Sequence, residues 1–138
     1  MELQVGMKAL LKNREGKYLL LRRSPDKYPE AALRWDIPGG RINTGDLLMD
    51  NLKREIKEET NLDLKKEPKL VAAQDILRVQ DRHVIRLTYA GEIDGNPVLD
   101  TEESVDFGWF TSKEIKNLEH LDIYVKELIE KGMLLNGE

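Results

Sequence analysis

Residues 40–62 limit the structural possibilities for this chain more than any other segment, because three glutamates follow a paired-glycine turn. Glu55, Glu58 and Glu59 stand at i, i+3 and i+4 of a predicted helix, so they share one face. Like charges at i, i+4 cost roughly 0.2–0.5 kcal/mol per pair, and acids in the last turn of a helix oppose its dipole. This unfavourable local chemistry predicts a functional site where another group compensates the charge. Hard divalent cations, which prefer oxygen ligands, are the obvious candidates.

A solvated helix face is the alternative interpretation of the same residues. Lys53, Arg54 and Lys57 interleave with the acids, 35% of the chain is charged, and helices of mixed charge usually face solvent. The preceding Gly39-Gly40 pair favours a metal site instead. Glycine lets a ligand approach the backbone closely, and a backbone carbonyl is a good ligand for a hard cation.

The segment resembles the signature of the Nudix hydrolases, G-x5-E-x7-R-E-U-x-E-E-x-G-U, in which U is a bulky aliphatic residue. Gly40 is followed by five residues and Asp46, and seven residues later by R-E-I-K-E-E-T-N-L, which ends at Leu62. Asp46 stands where the family has Glu, and Asn61 stands where it has Gly. Asn is the next best residue for a left-handed position after a helix, whereas Asp is one methylene shorter than Glu. Residues 35–40 also resemble the family's lead-in to the signature.

The resemblance implies a metal-dependent hydrolase that cleaves the pyrophosphate bond of a nucleoside diphosphate linked to another group. It implies that Mg²⁺ or Mn²⁺ is held by the Gly40 carbonyl and by Glu55, Glu58 and Glu59. The metal would neutralise phosphate oxygens, orient the attacking water and lower its pKa. Arg54 is implied to orient the glutamates through charge-assisted hydrogen bonds rather than to bind metal.

The general base stays open among Glu55, Glu58 and Glu103. Members of the family often carry a Glu a few residues before a strand that bears Trp, and Glu103 precedes Trp109 at a fitting distance. Such a residue supplies either an extra metal ligand or the base. An ordinary acidic turn is the alternative interpretation of Glu103.

Residues before the signature are candidate substrate contacts. Arg22 and Arg23 end a predicted strand, and they are predicted to clamp phosphate because guanidinium matches phosphate geometry. A solvated strand end is the alternative for both arginines. Tyr28, in the following loop, is a candidate contact for a substrate base, whereas Trp35 and Trp109 are predicted to be packing residues.

Apolar patterning predicts strands at residues 5–11, 17–22, 35–37, 70–79, 83–93 and 105–110. A helix from about Asp46 to Thr60 is predicted to bury Leu48, Leu52 and Ile56. A short helix should follow a cap at Thr111 or Ser112, and a final helix should contain the apolar set Leu121, Val125, Leu128 and Ile129. Runs of strands followed by helices indicate an α+β or α/β fold. The resemblance implies an α/β/α sandwich with a mixed sheet between helices, as a single domain over residues 1–138.

Composition excludes several other classes of protein. The 138 residues suit one core, and a net charge of −4 argues against nonspecific nucleic-acid binding. The chain has no cysteine, which excludes disulfides and thiolate zinc sites. No apolar run approaches the ~20 residues of a membrane span, and the N-terminus lacks the features of a signal peptide. We therefore expect a cytoplasmic protein that acts on a small-molecule nucleotide, with no nucleic-acid or membrane partner. The resemblance adds a homodimer as an expectation.

A nucleotide-binding sensor that keeps the fold without turnover is the alternative function, and only Asp46 favours it. The substrate stays open among nucleotide sugars, ADP-ribose, oxidised nucleoside triphosphates and dinucleoside polyphosphates. The clustered charges also predict that Glu59→Gln leaves the stability of the metal-free protein unchanged or higher, because repulsion is relieved. Asp46 is predicted to support Arg54 rather than to bind metal.

Overall fold

The computed structural model describes residues 1–31 and 33–132. The predicted domain and the predicted loop at 24–34 therefore include residues outside the described ones, namely 133–138 and Ala32. The described residues form strands β1 to β7 at Glu2–Lys12, Tyr18–Arg23, Trp35–Asp36, Gly39–Arg41, Lys69–Ile76, Arg82–Glu92 and Ser104–Phe110. Helices α1 to α3 occupy Leu48–Thr60, Ser112–Lys116 and Ile123–Glu130, and a 3₁₀ turn occupies Pro29–Ala31. None of the described helices is long and apolar enough to cross a membrane.

Helices cover both faces of the sheet, which confirms the predicted α/β/α sandwich. Alternate residues of β2 serve the two layers, as expected for a strand buried on both sides. Leu19 and Leu21 pack with Leu52 and Ile56 of α1. Leu20 faces the opposite layer, where α2 and α3 supply the apolar partners. The uninterrupted apolar run of this strand is thereby explained.

The sheet is mixed, and β1 separates from β2 and pairs with β4 over another part of its length. The strand order is β3-β2-β1-β6-β5, with β4 paired to β1 and β7 paired to β2. β1 runs parallel to β6 along its whole length but pairs with β2 only at Lys12 and Tyr18. Further along, β4 takes the place of β2 and pairs with β1 from Gly6 to Lys8. Residues of β2, β4 and α1 come together where β1 and β2 have separated.

The structure corrects the predicted start and the buried face of the first helix. The helix begins at Leu48 rather than Asp46, because the Asp46 N–H donates to the Asn43 carbonyl at 3.1 Å and closes a turn before it. Leu48 is exposed, so its predicted burial is wrong. The stripe that packs on the sheet is instead Met49, Leu52 and Ile56, which lie at i, i+3 and i+7.

Two other predicted boundaries also move. β5 ends at Ile76 rather than Val79, because the chain turns back with the Arg82 N–H donating to the Val79 carbonyl. The last helix begins at Ile123, so Leu121 precedes it. Asp122 caps that helix, with its carboxylate accepting the first free N–H groups.

Several local predictions are confirmed. The turn between β1 and β2 has Gly16 at φ +76°, with its N–H donating to the Asn13 carbonyl. Asn61 adopts the left-handed conformation after α1, and its N–H donates to the Lys57 carbonyl at 2.9 Å. Thr111 caps α2 in a reciprocal capping box. These features depend on neighbours within four residues, which is why sequence alone predicts them.

Candidate active site

A cavity of about 710 Å³ lies against β1, β4 and β6, next to the point where β1 and β2 separate. Its volume is typical of sites for small molecules. The structure places most of the predicted site residues on its wall: Arg23, Tyr28, Gly40, Glu55, Glu59 and Glu103. Arg22, Arg54 and Glu58 do not line it.

Glu55 lies directly against the backbone of Gly40. A Cβ atom at residue 40 would come within 2.6 Å of Glu55 Oε2, so a larger residue there would displace the carboxylate from this position. Burial, and then the charge of Glu59, raise the pKa of Glu55, although Arg54 opposes the shift. The raised pKa indicates negative charge that the protein compensates incompletely. A cradle of this kind fits a hard cation.

Arg54 lies between Glu55 and Glu58, as the resemblance implies. Its Nη1 donates to both carboxylate oxygens of Glu58 at 3.1 Å, and its Nη2 lies 3.3 Å from Glu55 Oε1. The same Nη2 donates to Asn51 Oδ1 at 2.6 Å, which fixes the guanidinium plane. The Glu58 side chain is 54% exposed and does not line the cavity. Asp46, in the turn before α1, acts on Arg54 through its charge.

Glu59 is buried in an ion pair with Arg23. Arg23 Nη1 donates to Glu59 Oε1 at 2.9 Å, and the Gly39 N–H donates to Oε2 at 2.6 Å. Burial by itself lowers the pKa of Arg23, but the charges of Glu59 and Asp36 outweigh it and the net shift is upward. Both oxygens of Glu59 therefore have partners within the protein. We therefore expect Glu59→Gln to lower the stability of the metal-free protein rather than to leave it unchanged or higher, because the loss of the Arg23 pair should outweigh the relief of repulsion along the helix.

Glu103 is held by the loop that follows β2. Its carboxylate accepts hydrogen bonds from the Tyr28 hydroxyl and the Lys27 ammonium group. Burial raises the pKa of Glu103, but these two hydrogen bonds outweigh it and the net shift is downward. The ring of Tyr28 also lies 5.7 Å from the Arg23 guanidinium. Tyr28 thus organises Glu103 and Arg23, and its contact with a substrate base stays a prediction.

Arg22 lies outside the cavity because neighbouring residues of a strand point to opposite faces. Its Nε donates to the Leu33 carbonyl at 3.0 Å, and its guanidinium lies 5.5 Å from the Trp35 ring centroid. Trp35 is buried and contacts Phe110 edge-on at 5.3 Å between centroids. Of the two predicted phosphate clamps, only Arg23 therefore faces the cavity.

The inner wall of the cavity carries charged residues that the sequence interpretation missed. Arg86 is 1% exposed, and its two Nη atoms donate to Asp36 at 2.9 Å and to Asp122 at 3.1 Å. Arg78 donates to the second oxygen of Asp122 at 3.0 Å. Burial alone would raise the pKa of Asp36, but the charges of Arg86 and Lys8 hold it well below its usual range.

Lys8 joins this network to the glycine turn. Its Nζ lies 3.5 Å from Asp36 Oδ2 and donates to the Ile37 carbonyl at 3.2 Å. Burial is the main reason why the pKa of Lys8 falls to about 8. A sequence signal for the network did exist, because Lys8 and Arg86 are charged residues that stand between apolar neighbours in predicted strands. Such residues are rarely buried unless they are paired.

Among the described residues, no group of three or more Asp, Glu or His side chains is arranged to hold a metal ion. The reason is visible in the pairing, since Glu59 is held by Arg23 and Glu58 by Arg54. The donor types, three carboxylates and the carbonyl of Gly40, nevertheless suit a hard divalent cation.

Comparison with known proteins places this geometry in context. The sequence profile of the NUDIX domain matches residues 2–131. The structure is similar to the MutT protein from Methanosarcina mazei Go1, with 26% identity, coverage of 99% of this chain and 96% of that chain, and a TM-score of 0.86. It is also similar to the MutT NUDIX hydrolase from Burkholderia pseudomallei, with 25% identity, coverage of 94% and 98%, and a TM-score of 0.80.

A third similar structure is an ADP-ribose pyrophosphatase from Streptococcus suis 89-1591. It is 22% identical, with coverage of 96% of this chain and 90% of that chain and a TM-score of 0.70. At this level of identity the similarity shows the fold alone. A search of curated proteins finds no match.

Proposed function

The chain belongs to the Nudix family and is a Nudix-type hydrolase, and on that basis we propose that it cleaves, with a divalent cation, the pyrophosphate bond of a nucleoside diphosphate linked to another group. One observation carries most of this proposal. Glu55, with its raised pKa, lies against the Gly40 backbone at the wall of a cavity large enough for a nucleotide. This arrangement suits a cation that bridges protein oxygens to phosphate oxygens.

The residues proposed to hold Mg²⁺ or Mn²⁺ are Gly40, through its carbonyl, and Glu55, Glu58 and Glu59. When bound, such an ion neutralises phosphate oxygens and lowers the pKa of the attacking water. Arg54 keeps Glu55 and Glu58 oriented through its contacts with both carboxylates. The Gly39 N–H holds Glu59 Oε2 and so fixes the direction of that carboxylate.

We favour Glu55 as the general base among the three candidates. A base works best when its pKa lies near the working pH. In the metal-free protein the pKa of Glu55 is raised, mainly by burial, whereas that of Glu103 is lowered by its hydrogen bonds to Lys27 and Tyr28. Glu58 does not line the cavity and is paired with Arg54. Glu55 is therefore the candidate best able to accept a proton from water inside the cavity.

The rest of the wall supports an anionic substrate. Arg41 and Arg82 line the cavity, and neither forms a salt bridge with a described residue. Cationic side chains in a partly enclosed cleft attract negatively charged ligands. A phosphorylated small molecule fits this wall. Cytoplasmic location and homodimerisation stay predictions from the sequence.

The test is a screen for hydrolysis products by mass spectrometry. Nucleotide sugars, ADP-ribose, oxidised nucleoside triphosphates and dinucleoside polyphosphates would each be incubated with Mg²⁺, with Mn²⁺ and with excess chelator. We expect at least one class to be cleaved at the pyrophosphate, only with metal, and Glu55→Gln to abolish the cleavage. Full activity in excess chelator would contradict the mechanism. Binding of nucleotide without cleavage of any class would favour the sensor function instead.

A further inference from the structure

We propose that Arg23 couples metal binding to substrate binding: its guanidinium holds Glu59 in the metal-free protein and transfers to a substrate phosphate once a divalent cation is bound. The proposal rests on the proposed function, because it assigns a second state to the same site. It also reconciles two predictions that compete in the structure, a metal-binding Glu59 and a phosphate-binding Arg23.

Each carboxylate oxygen of Glu59 has a hydrogen-bond partner in the metal-free protein. Oε2 accepts the Gly39 N–H at 2.6 Å, and Oε1 accepts Arg23 Nη1 at 2.9 Å. The Gly39 N–H belongs to the backbone of β4 and cannot be withdrawn without moving the strand. Arg23 is a side chain, so it is the partner that can leave. The guanidinium therefore competes with any cation for Oε1.

The Arg23 guanidinium and a divalent metal ion would share the Glu59 carboxylate only at a high electrostatic cost. The side chains of Arg23 and Glu59 are 8% and 5% exposed, so both charges are largely removed from water. A buried charge needs a paired counter-charge, and one carboxylate balances one guanidinium. When a divalent cation binds Glu59, Arg23 loses that balance, keeps only the weaker attraction of Asp36, and is repelled.

Arg23 has access to a new binding partner within the cavity. It lines the same wall as Glu55 and Gly40, where the phosphates of a substrate would meet the metal site. Apart from the attraction of Asp36, its other contacts are weak, namely the Ile37 carbonyl at 3.5 Å and the Tyr28 ring at 5.7 Å. A guanidinium binds phosphate through two parallel hydrogen bonds. The released group would thus gain a better partner than its remaining ones.

Linkage makes the coupling measurable without turnover. If only molecules with an open Arg23–Glu59 pair bind metal, the apparent metal affinity equals the intrinsic affinity multiplied by the fraction of molecules in which the pair is open. We would measure Mn²⁺ binding by titration calorimetry, without substrate, for the wild type and for Arg23→Gln. The matched control is Arg82→Gln, the same substitution at another cavity residue that has no ion pair with Glu59.

We expect Arg23→Gln to bind Mn²⁺ about tenfold more tightly than the wild type, and Arg82→Gln to bind within about twofold of it. Equal gains in the two variants would mean that only the total charge of the cavity matters, and would overturn the proposal. No gain in Arg23→Gln would also overturn it.

A second measurement uses the wild type and does not depend on the folding of a variant. The side-chain Nε–H resonance of Arg23 would be followed by NMR during a Mg²⁺ titration, then during addition of inorganic phosphate. We expect it to shift in step with Mg²⁺ saturation and to shift again with phosphate. By reciprocity, phosphate should bind the metal-loaded protein more tightly than the metal-free protein.

An unchanged Arg23 resonance at full Mg²⁺ saturation would overturn the proposal and leave the proposed function standing. A wild-type protein that binds neither Mg²⁺ nor Mn²⁺ would contradict both. The two failures are therefore distinguishable.

Discussion

Glu59→Gln is expected to destabilise the metal-free protein, although the charge pattern of the helix alone predicts the opposite. Glutamine can still accept the Gly39 N–H, as Glu59 does at 2.6 Å. It cannot balance Arg23, whose guanidinium donates to Glu59 at 2.9 Å. Because Arg23 is only 7% exposed, the substitution leaves a buried cation without its counter-charge.

The magnitude follows from two opposing contributions. Removing one partner of a buried ion pair costs roughly 3–5 kcal/mol. Relief of the repulsion between Glu55 and Glu59 returns only about 0.2–0.5 kcal/mol. We therefore expect a net loss of about 3 kcal/mol or more. At about 3–5 °C per kcal/mol, between the values for smaller and larger domains, a loss of about 3 kcal/mol should lower the melting temperature by roughly 9–15 °C.

Thermal and urea unfolding in excess chelator at pH 7 would measure the effect. The matched control is Glu58→Gln, one position earlier, which removes a half-exposed partner of Arg54. Exposed i, i+4 pairs contribute about 0.3–0.5 kcal/mol, so this control should barely change the melting temperature. If Glu59→Gln melts at or above the wild-type temperature, the Arg23 pair adds no net stability and the reasoning is refuted.

Substitutions at three further residues test the assigned roles. Glu55→Gln should stabilise the metal-free protein at pH 7, because the raised pKa of Glu55 means that its ionised form is destabilised in the folded state. The gain should vanish as the pH falls through that pKa, and a gain in thermal unfolding that does not depend on pH would contradict this. Glu103→Gln should lower turnover less than about tenfold without changing metal affinity, since the lowered pKa of Glu103 makes it a weak base; a fall of about 10²–10⁴ would identify it as the base. Asp46→Ala should lower turnover at saturating Mg²⁺ by about 10–100-fold, which is far less than the loss expected for Glu59→Gln. Asp46→Glu should leave turnover unchanged or slightly higher. Greater damage from Asp46→Ala than from Glu59→Gln would make Asp46 a direct ligand.

Part of the candidate site was predictable because it is written in one continuous segment. The spacing from Gly40 to Glu55 and Glu59 predicts a glycine turn and a helix that present carboxylates together, and Glu55 does lie against Gly40. Arg54 likewise lies between its predicted partners, Glu55 and Glu58. Helical periodicity relates these residues, so their geometry follows from local rules.

The same local rules placed some residues wrongly or missed them. Leu48 fits a helical stripe as well as Met49 does, and only the packing of α1 on the sheet selects the latter. Lys8, Asp36 and Arg86 appear as isolated charges in the sequence, although the fold joins them in one buried network. The direction in which Arg22 and Arg23 point depends on where their strand enters the sheet.

The sequence by itself determined most of the elements, although not β4 or the first residue of α1. It also determined the two-sided burial of the sheet and the segment that carries the glutamates, because these features depend on residues a few positions apart. Only the tertiary structure decided how the charges are paired. Arg23 and Glu59 are 36 residues apart, Asp36 and Arg86 are 50 apart, and Tyr28 and Glu103 are 75 apart. An ion pair forms only where strand register and helix packing bring two charges within about 3 Å, and burial then multiplies its strength. Neither distance nor burial is encoded in the local pattern, which is why Glu59 resembles a free carboxylate in the sequence and is a closed ion pair in the fold.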